Sequence, residues 1–166
     1  MRIERLAHNP HTPRDVLERL ATDADQYVRR GVAQNPQTTA EIQAKISLFT
    51  EYYHSKNIPI NILQELANHY DSYVRKIVAK KPNTPVSILV VLANDAEPNV
   101  RSVLAKNPNT PVSILAILAT DISLSVHSAV AENPKTPKHI LAKLASDADN
   151  TVSSAARKNP LFNQIS

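Results

Sequence analysis

The chain writes nearly the same corner over and over: NPHTP from Asn9, NPQTT from Asn35, KPNTP from Lys81, NPNTP from Asn107, NPKTP from Asn133 and a truncated NPLF from Asn159. The steps between corners are 26, 46, 26, 26 and 26 residues. The long step holds a degenerate corner. Stepping back 26 residues from Pro85 lands on Pro59, and the INILQELANHYDSYVRKIVAK that follows fits the same template. The 166 residues therefore read as one repeat domain, 1–166: a partial repeat 1–8, repeats starting at 9, 35, 55, 81, 107 and 133, and a partial repeat 159–166. The repeat from 35 is short and irregular, 20 residues in place of 26. A fixed period in this range marks an architecture of stacked repeats, because one such unit cannot bury its own apolar side.

The template NPxTPxx(I/V)LxxLAxDxxxxVRxxVAx predicts two helices per repeat. Thr12, Thr84, Thr110 and Thr136 each precede a proline. Threonine is a good N-cap and proline fits the first helical turn, so TP is read as the start of helix A. Glu41 stands at the capping-box position after Thr38, and Asp15 is a weaker version after Thr12. Val16, Leu17, Leu20 and Ala21 share one side of helix A. An acidic turn follows, where Asp25, Asp71, Ser123 and Asp149 are placed to cap helix B and Pro98 takes its first position. Helix B buries a second stripe, such as Val28 with Val32 or Val100 with Leu104. The next Asn-Pro stops it, since a residue before proline avoids the α region. Isolated helices of nine or so residues are marginal in water, so about thirteen of them must stack. The segment TTAEIQAKISLFTEYYHSKNIP lacks DxxxxVR; Ile42, Ile46, Phe49 and Tyr53 predict one longer helix over 39–54.

Composition supports an all-helical chain. One glycine leaves few positions for the positive φ that tight hairpins need. The absence of cysteine removes disulfides, thiolate metal sites and cysteine nucleophiles. It also suits a cytoplasmic location. No apolar leader and no run of 18 apolar residues is seen, so neither a secretory signal nor a membrane partner is expected. The six histidines are scattered, and no phosphate-binding glycine loop, HExxH or nucleophile elbow occurs. No enzyme activity, metal or cofactor is expected.

The NPxTP corner, the ILxxLA helix and the DxxxxVRxxVA segment together resemble the leucine-rich repeat variant family over nearly the whole chain. The DxDxxVR of 23–29 also resembles HEAT-like repeats. The resemblance implies a right-handed α-solenoid in which α-helices alternate with short 3₁₀ turns, in a bacterial, cytoplasmic protein. A described family member carries a cysteine cluster for an iron–sulfur centre; with no cysteine here, that cofactor does not carry over. HEAT-like DNA glycosylases show a similar scaffold hosting base chemistry, but this chain has no tryptophan and no catalytic constellation.

Four features are candidates for function. Asp23 with Arg29, and Asp95 with Arg101, recur in register; they read either as a hydrogen-bonded ladder between stacked turns or, with Arg75, as a phosphate-reading stripe. Tyr27 and Arg30, then Tyr73, Lys76 and Lys80, then Lys106, lie on one face of helix B. They would make a basic, tyrosine-bearing nucleic-acid groove, or a solvated basic face on a chain of net charge +4. Phe49, Tyr52 and Tyr53 belong to an aromatic cluster between 27 and 73. These aromatics are either interface anchors or filling for the missing helix. Finally, PVSILVVLA and PVSILAILA carry more aliphatics than a core needs. Val86, Val90, Val91, Val112, Ala116 and Ile117 stand where the other full repeats hold mostly Arg14, Glu18, Arg19, Gln64, Glu65, Lys138 and Lys143. A contiguous exposed apolar patch is the usual mark of an interaction surface. The leading expectation is a non-catalytic scaffold that binds an unknown protein partner or self-associates; nucleic-acid binding is the alternative.

Overall fold

A computed structural model describes residues 3–55 and 57–162. Residues 163–166 of the last partial repeat lie outside it. The chain is all-α: twelve helices and no strand occur among the described residues, against the expected thirteen or so. Among the described residues no 3₁₀ segment separates these helices. None of the twelve is long and apolar enough to cross a membrane. The chain divides into two compact units, 1–58 and 59–166.

The N-terminal unit holds α1 (Ile3–His8), α2 (Arg14–Leu20), α3 (Gln26–Gln34) and α4 (Ala40–His54). Its core joins Ala7, Leu17, Leu20, Ala21, Val28, Val32, Ile42 and Ile46. Helix α4 is 15 residues long, as the uninterrupted apolar face of 42–53 predicts. The protein's single glycine, Gly31, sits inside α3 where α1 crosses it. A Cβ there would meet the Ala7 Cβ at 2.9 Å and the His8 ring at 2.6 Å. The exposed His8 ring has room to swing aside, but Ala7 is buried. Gly31→Ala is therefore expected to destabilise this unit by about 1–2 kcal/mol, although alanine is worth about 1 kcal/mol more than glycine in an exposed helix. Urea unfolding monitored by circular dichroism checks this; a stabilised variant would show that α1 yields freely.

The C-terminal unit holds α5 (Ile60–Ala67), α6 (Ser72–Lys80), α7 (Val86–Ala93), α8 (Pro98–Lys106), α9 (Val112–Leu118), α10 (Leu124–Glu132), α11 (Lys138–Leu144) and α12 (Asn150–Lys158). The even-numbered helices pack in chain order, α6 on α8, α8 on α10, α10 on α12. Helix α7 packs between α5 and α9, and α10 packs on both α9 and α11. The core lies between these two sets. Ile88, Leu89 and Leu92 of α7, Ile114, Leu115 and Leu118 of α9, Val100 and Leu104 of α8 and Val126 and Val130 of α10 are all buried, with α7 packed on α8 and α9 on both α8 and α10.

The corner works differently from the sequence expectation. Pro13, Pro85, Pro111 and Pro137 are themselves the N-cap residues, in extended conformations such as φ −61°, ψ 150° at Pro111. Their carbonyls open the helix, as Pro111 O accepts from both Ile114 and Leu115 N–H. The threonines before them turn backwards. Thr84, Thr110 and Thr136 are buried and donate their hydroxyls to the carbonyls of Val78, Leu104 and Val130, six residues earlier. They close the preceding helix, whose last carbonyls lack intrahelical partners. Thr38 does the same to Val32 O, and Thr39 caps α4 instead, which dissolves the capping box expected between Thr38 and Glu41.

The asparagine of each corner does more than stop a helix. Asn133 is 1% exposed. Its side-chain amide donates to Ala105 O and to Asn107 O at 3.0 Å, one repeat back. Its own Oδ1 accepts the Lys135 N–H and so holds the turn. Asn107 makes the same pair of bonds to Ala79 O and Lys81 O, and Asn159 to Ala131 O and Asn133 O. In the N-terminal unit Asn35 does so to Ala7 O and Asn9 O. Lys81 stands where an asparagine would; burial, then the neighbouring Lys80 charge, holds its ammonium below the ordinary lysine range.

Candidate protein-interaction surface

A second ladder positions the acidic turns. Arg101 grips the Asp121 carboxylate through two nitrogens, at 2.6 and 2.8 Å, and donates to the carbonyls of Asp95 and Ala96 in its own turn. Arg75 does likewise with Asp95, His69 O and Tyr70 O. Each arginine thus pairs with the aspartate of the following repeat, 20 residues on, and takes only backbone carbonyls from its own turn. His127 continues the series, with Nδ1 3.4 Å from Asp147. The Arg101 hydrogen bond is the main reason the Asp121 carboxyl sits below the usual carboxylate range. At Asp95 burial pushes upward, but the bonds from Arg75 and the Glu97 N–H outweigh it and the shift is also downward. Arg75 and Arg101 thus have their guanidinium nitrogens engaged within the protein, in the manner of a ladder between turns.

The same 20-residue step from Arg29 lands on Phe49. Arg29 donates to Asp23 O and Ala24 O, and its guanidinium lies 5.3 Å from the Phe49 ring and 5.8 Å from the Tyr53 ring. An aromatic pair, tilted at 53°, thus occupies the place of the ladder carboxylate in the short repeat. Burial, above all, lowers the Arg29 pKa. Phe49 is 5% exposed and Tyr52 and Tyr53 are half-buried, so Phe49 drops out of the candidate surface. The signal was in the sequence, in the register of Phe49 against Asp95 and Asp121.

The basic face of helix B is present in pieces. Tyr27 and Arg30 are exposed in the N-terminal unit, where they border an open depression of about 430 Å³ with Gln26, Ala33, Ile46 and Thr50. In the C-terminal unit Tyr73, Lys80 and Lys106 are exposed and Lys76 is half-buried. The Lys76 ammonium lies 4.5 Å from the Tyr73 ring centre. Lys106 is paired with Glu132 of α10 at 2.9 Å. Further along, this face turns neutral around a groove of about 550 Å³ lined by Ser128, Glu132, Thr151, Ser154 and Lys158.

The aliphatic excess is exposed. Val86, Val90, Val91, Val112 and Ile117 are between 45% and 55% accessible, and Ala116 is exposed with them. They lie on the sides of α7 and α9 opposite the buried Leu89, Leu92, Leu115 and Leu118, and α7 packs on α9. Apart from the exposed Ser87 and Ser113 the two helices are apolar on every side, yet only half of each is covered. A helix of that kind is ordinarily buried. Ile60, at 59% accessible, extends the row onto α5, which also packs on α7. No protein-family model, curated protein or solved structure matches this chain.

Proposed function

We propose that the protein is a non-catalytic α-solenoid of the leucine-rich repeat variant type, and that it works as a scaffold by docking a protein on the exposed face of α7 and α9. One observation carries this reading: six aliphatic residues on adjacent helices stay in water although neighbouring repeats, Ile60 and Ala142 apart, hold Gln, Glu and Lys at the equivalent positions. Burying one such valine or isoleucine contributes about 1.5–3 kcal/mol, against an association cost of at least about 4 kcal/mol. Several together support a contact of moderate strength. The nucleic-acid reading is weaker, because Lys106 already has a carboxylate partner and the basic face fades towards α12.

The triple variant Val90→Gln, Val91→Glu, Ile117→Glu tests the docking reading. Its helicity by circular dichroism is expected to equal that of the parent chain, and its capture of the protein's binding partner is expected to disappear. A variant that retains the same partners and the same mass in light scattering would reduce the patch to bare surface.

A further inference from the structure

The charges that flank the patch indicate what covers it. The equivalent position on α5, α7, α9 and α11 is held by Glu65, Val91, Ile117 and Lys143: acid, apolar, apolar, base. All four are exposed. The column above it runs Ile60, Val86, Val112, Lys138, again ending on a base. A surface whose centre is apolar and whose two edges carry opposite charge is complementary to itself. Of the two in-plane two-fold axes that keep the helices of both copies aligned, an axis along the row of helices stacks each helix on itself, so Glu65 meets Glu65 and Lys143 meets Lys143. An axis along the groove between α7 and α9 reverses the order. It stacks α7 on α9 of the second copy and α5 on α11. Val91 then meets Ile117, and each Glu65 meets a Lys143, twice per dimer.

Resting on the docking reading above, we infer that the occupant of the α7–α9 face is a second copy of this chain, related by a two-fold axis along the α7–α9 groove. Closed two-fold pairs are the commonest protein assemblies, and their interfaces are self-complementary in this sense. Helices of seven or eight residues are about 11 Å long, so four of them offer a footprint of modest size. That places the pair among weak, reversible dimers and not obligate ones.

Sedimentation equilibrium on the full chain, from about 1 μM to about 500 μM, reads the outcome. A monomer–dimer equilibrium in that range is expected. Val91→Glu with Ile117→Glu should abolish it at unchanged helicity. Glu65→Lys alone and Lys143→Glu alone should each weaken it about tenfold, as two facing exposed pairs turn repulsive. Both swaps together should restore it to within about threefold. A dimer that survives the Val91/Ile117 change, or a double swap no better than the singles, overturns the proposal. A monomer at every concentration also overturns it. If that monomer still captures another protein through Val91, the docking reading stands and only the second copy is excluded; if the capture ignores Val91, both fall.

Discussion

Asn133→Ala is expected to cost the C-terminal unit about 3 kcal/mol, a fall in melting temperature of about 6–12 °C. The side chain is buried and serves three bonds: two donated to Ala105 O and Asn107 O, one accepted from the Lys135 N–H. Removing it strands carbonyls that no water replaces without opening the packing of α10 against α8. Each stranded polar group carries a desolvation cost of about 1–3 kcal/mol. Asn133→Asp separates the two roles. The carboxylate still accepts from Lys135 N–H, so a purely local turn would survive, but it donates nothing and faces two carbonyl oxygens. Aspartate is therefore expected to be at least as damaging as alanine. Thermal unfolding by circular dichroism decides; a tolerated Asn133→Asp change would mean that the bonds between repeats contribute little.

Breaking the arginine ladder is expected to cost slightly less. Arg101→Ala removes a two-pronged ion pair and two bonds to carbonyls, and leaves Asp121, whose side chain is 8% exposed, without that counter-charge. Truncating one partner of a fully buried pair costs about 3–5 kcal/mol; with the Arg101 side chain 13% exposed, about 2–3 kcal/mol is expected at pH 7. The loss depends on pH in a defined direction. The folded Asp121 pKa lies below that of an unfolded aspartate, about 3.9. Its contribution is thus complete above that value and is lost as pH falls through the lower, folded value. The parent chain should lose stability steeply below about pH 4, and Arg101→Ala less steeply, so the two curves converge in acid. Urea midpoints from pH 7 down to about pH 2 test this; parallel curves would show that Asp121 is not stabilised by Arg101.

Much of the chain was legible in its sequence because helix patterning is local. The repeat period, the apolar stripes of each helix, the caps at Asp25, Asp71 and Asp149, and the single long helix over 40–54 each depend on residues within a turn or two of one another. The aliphatic excess was also legible, since comparison between repeats shows which positions a core can do without. What stayed hidden was the meaning of residues whose partners lie one repeat away. Asn before Pro reads as a helix stop, but any residue would stop a helix there; the recurrence of Asn at 9, 35, 107, 133 and 159 is the sequence's trace of a side chain needed for more than the stop. Ser123 holds the cap position of α10 yet makes no cap bond, its hydroxyl meeting Ser125 instead.

Sequence alone determined that this chain is helical and which segments are short helices and which the one long one, because hydrogen bonding and side-chain faces within a helix span only four residues. Tertiary structure decided which polar side chains join one repeat to the next. Packing brought Asn133 to the carbonyls of 105 and 107, paired Arg101 with Asp121 instead of its own turn, and put Phe49 where an aspartate would stand. A buried polar group takes whichever partner packing sets within reach, and reach across 20 to 28 residues is a property of the stack, not of the local chain.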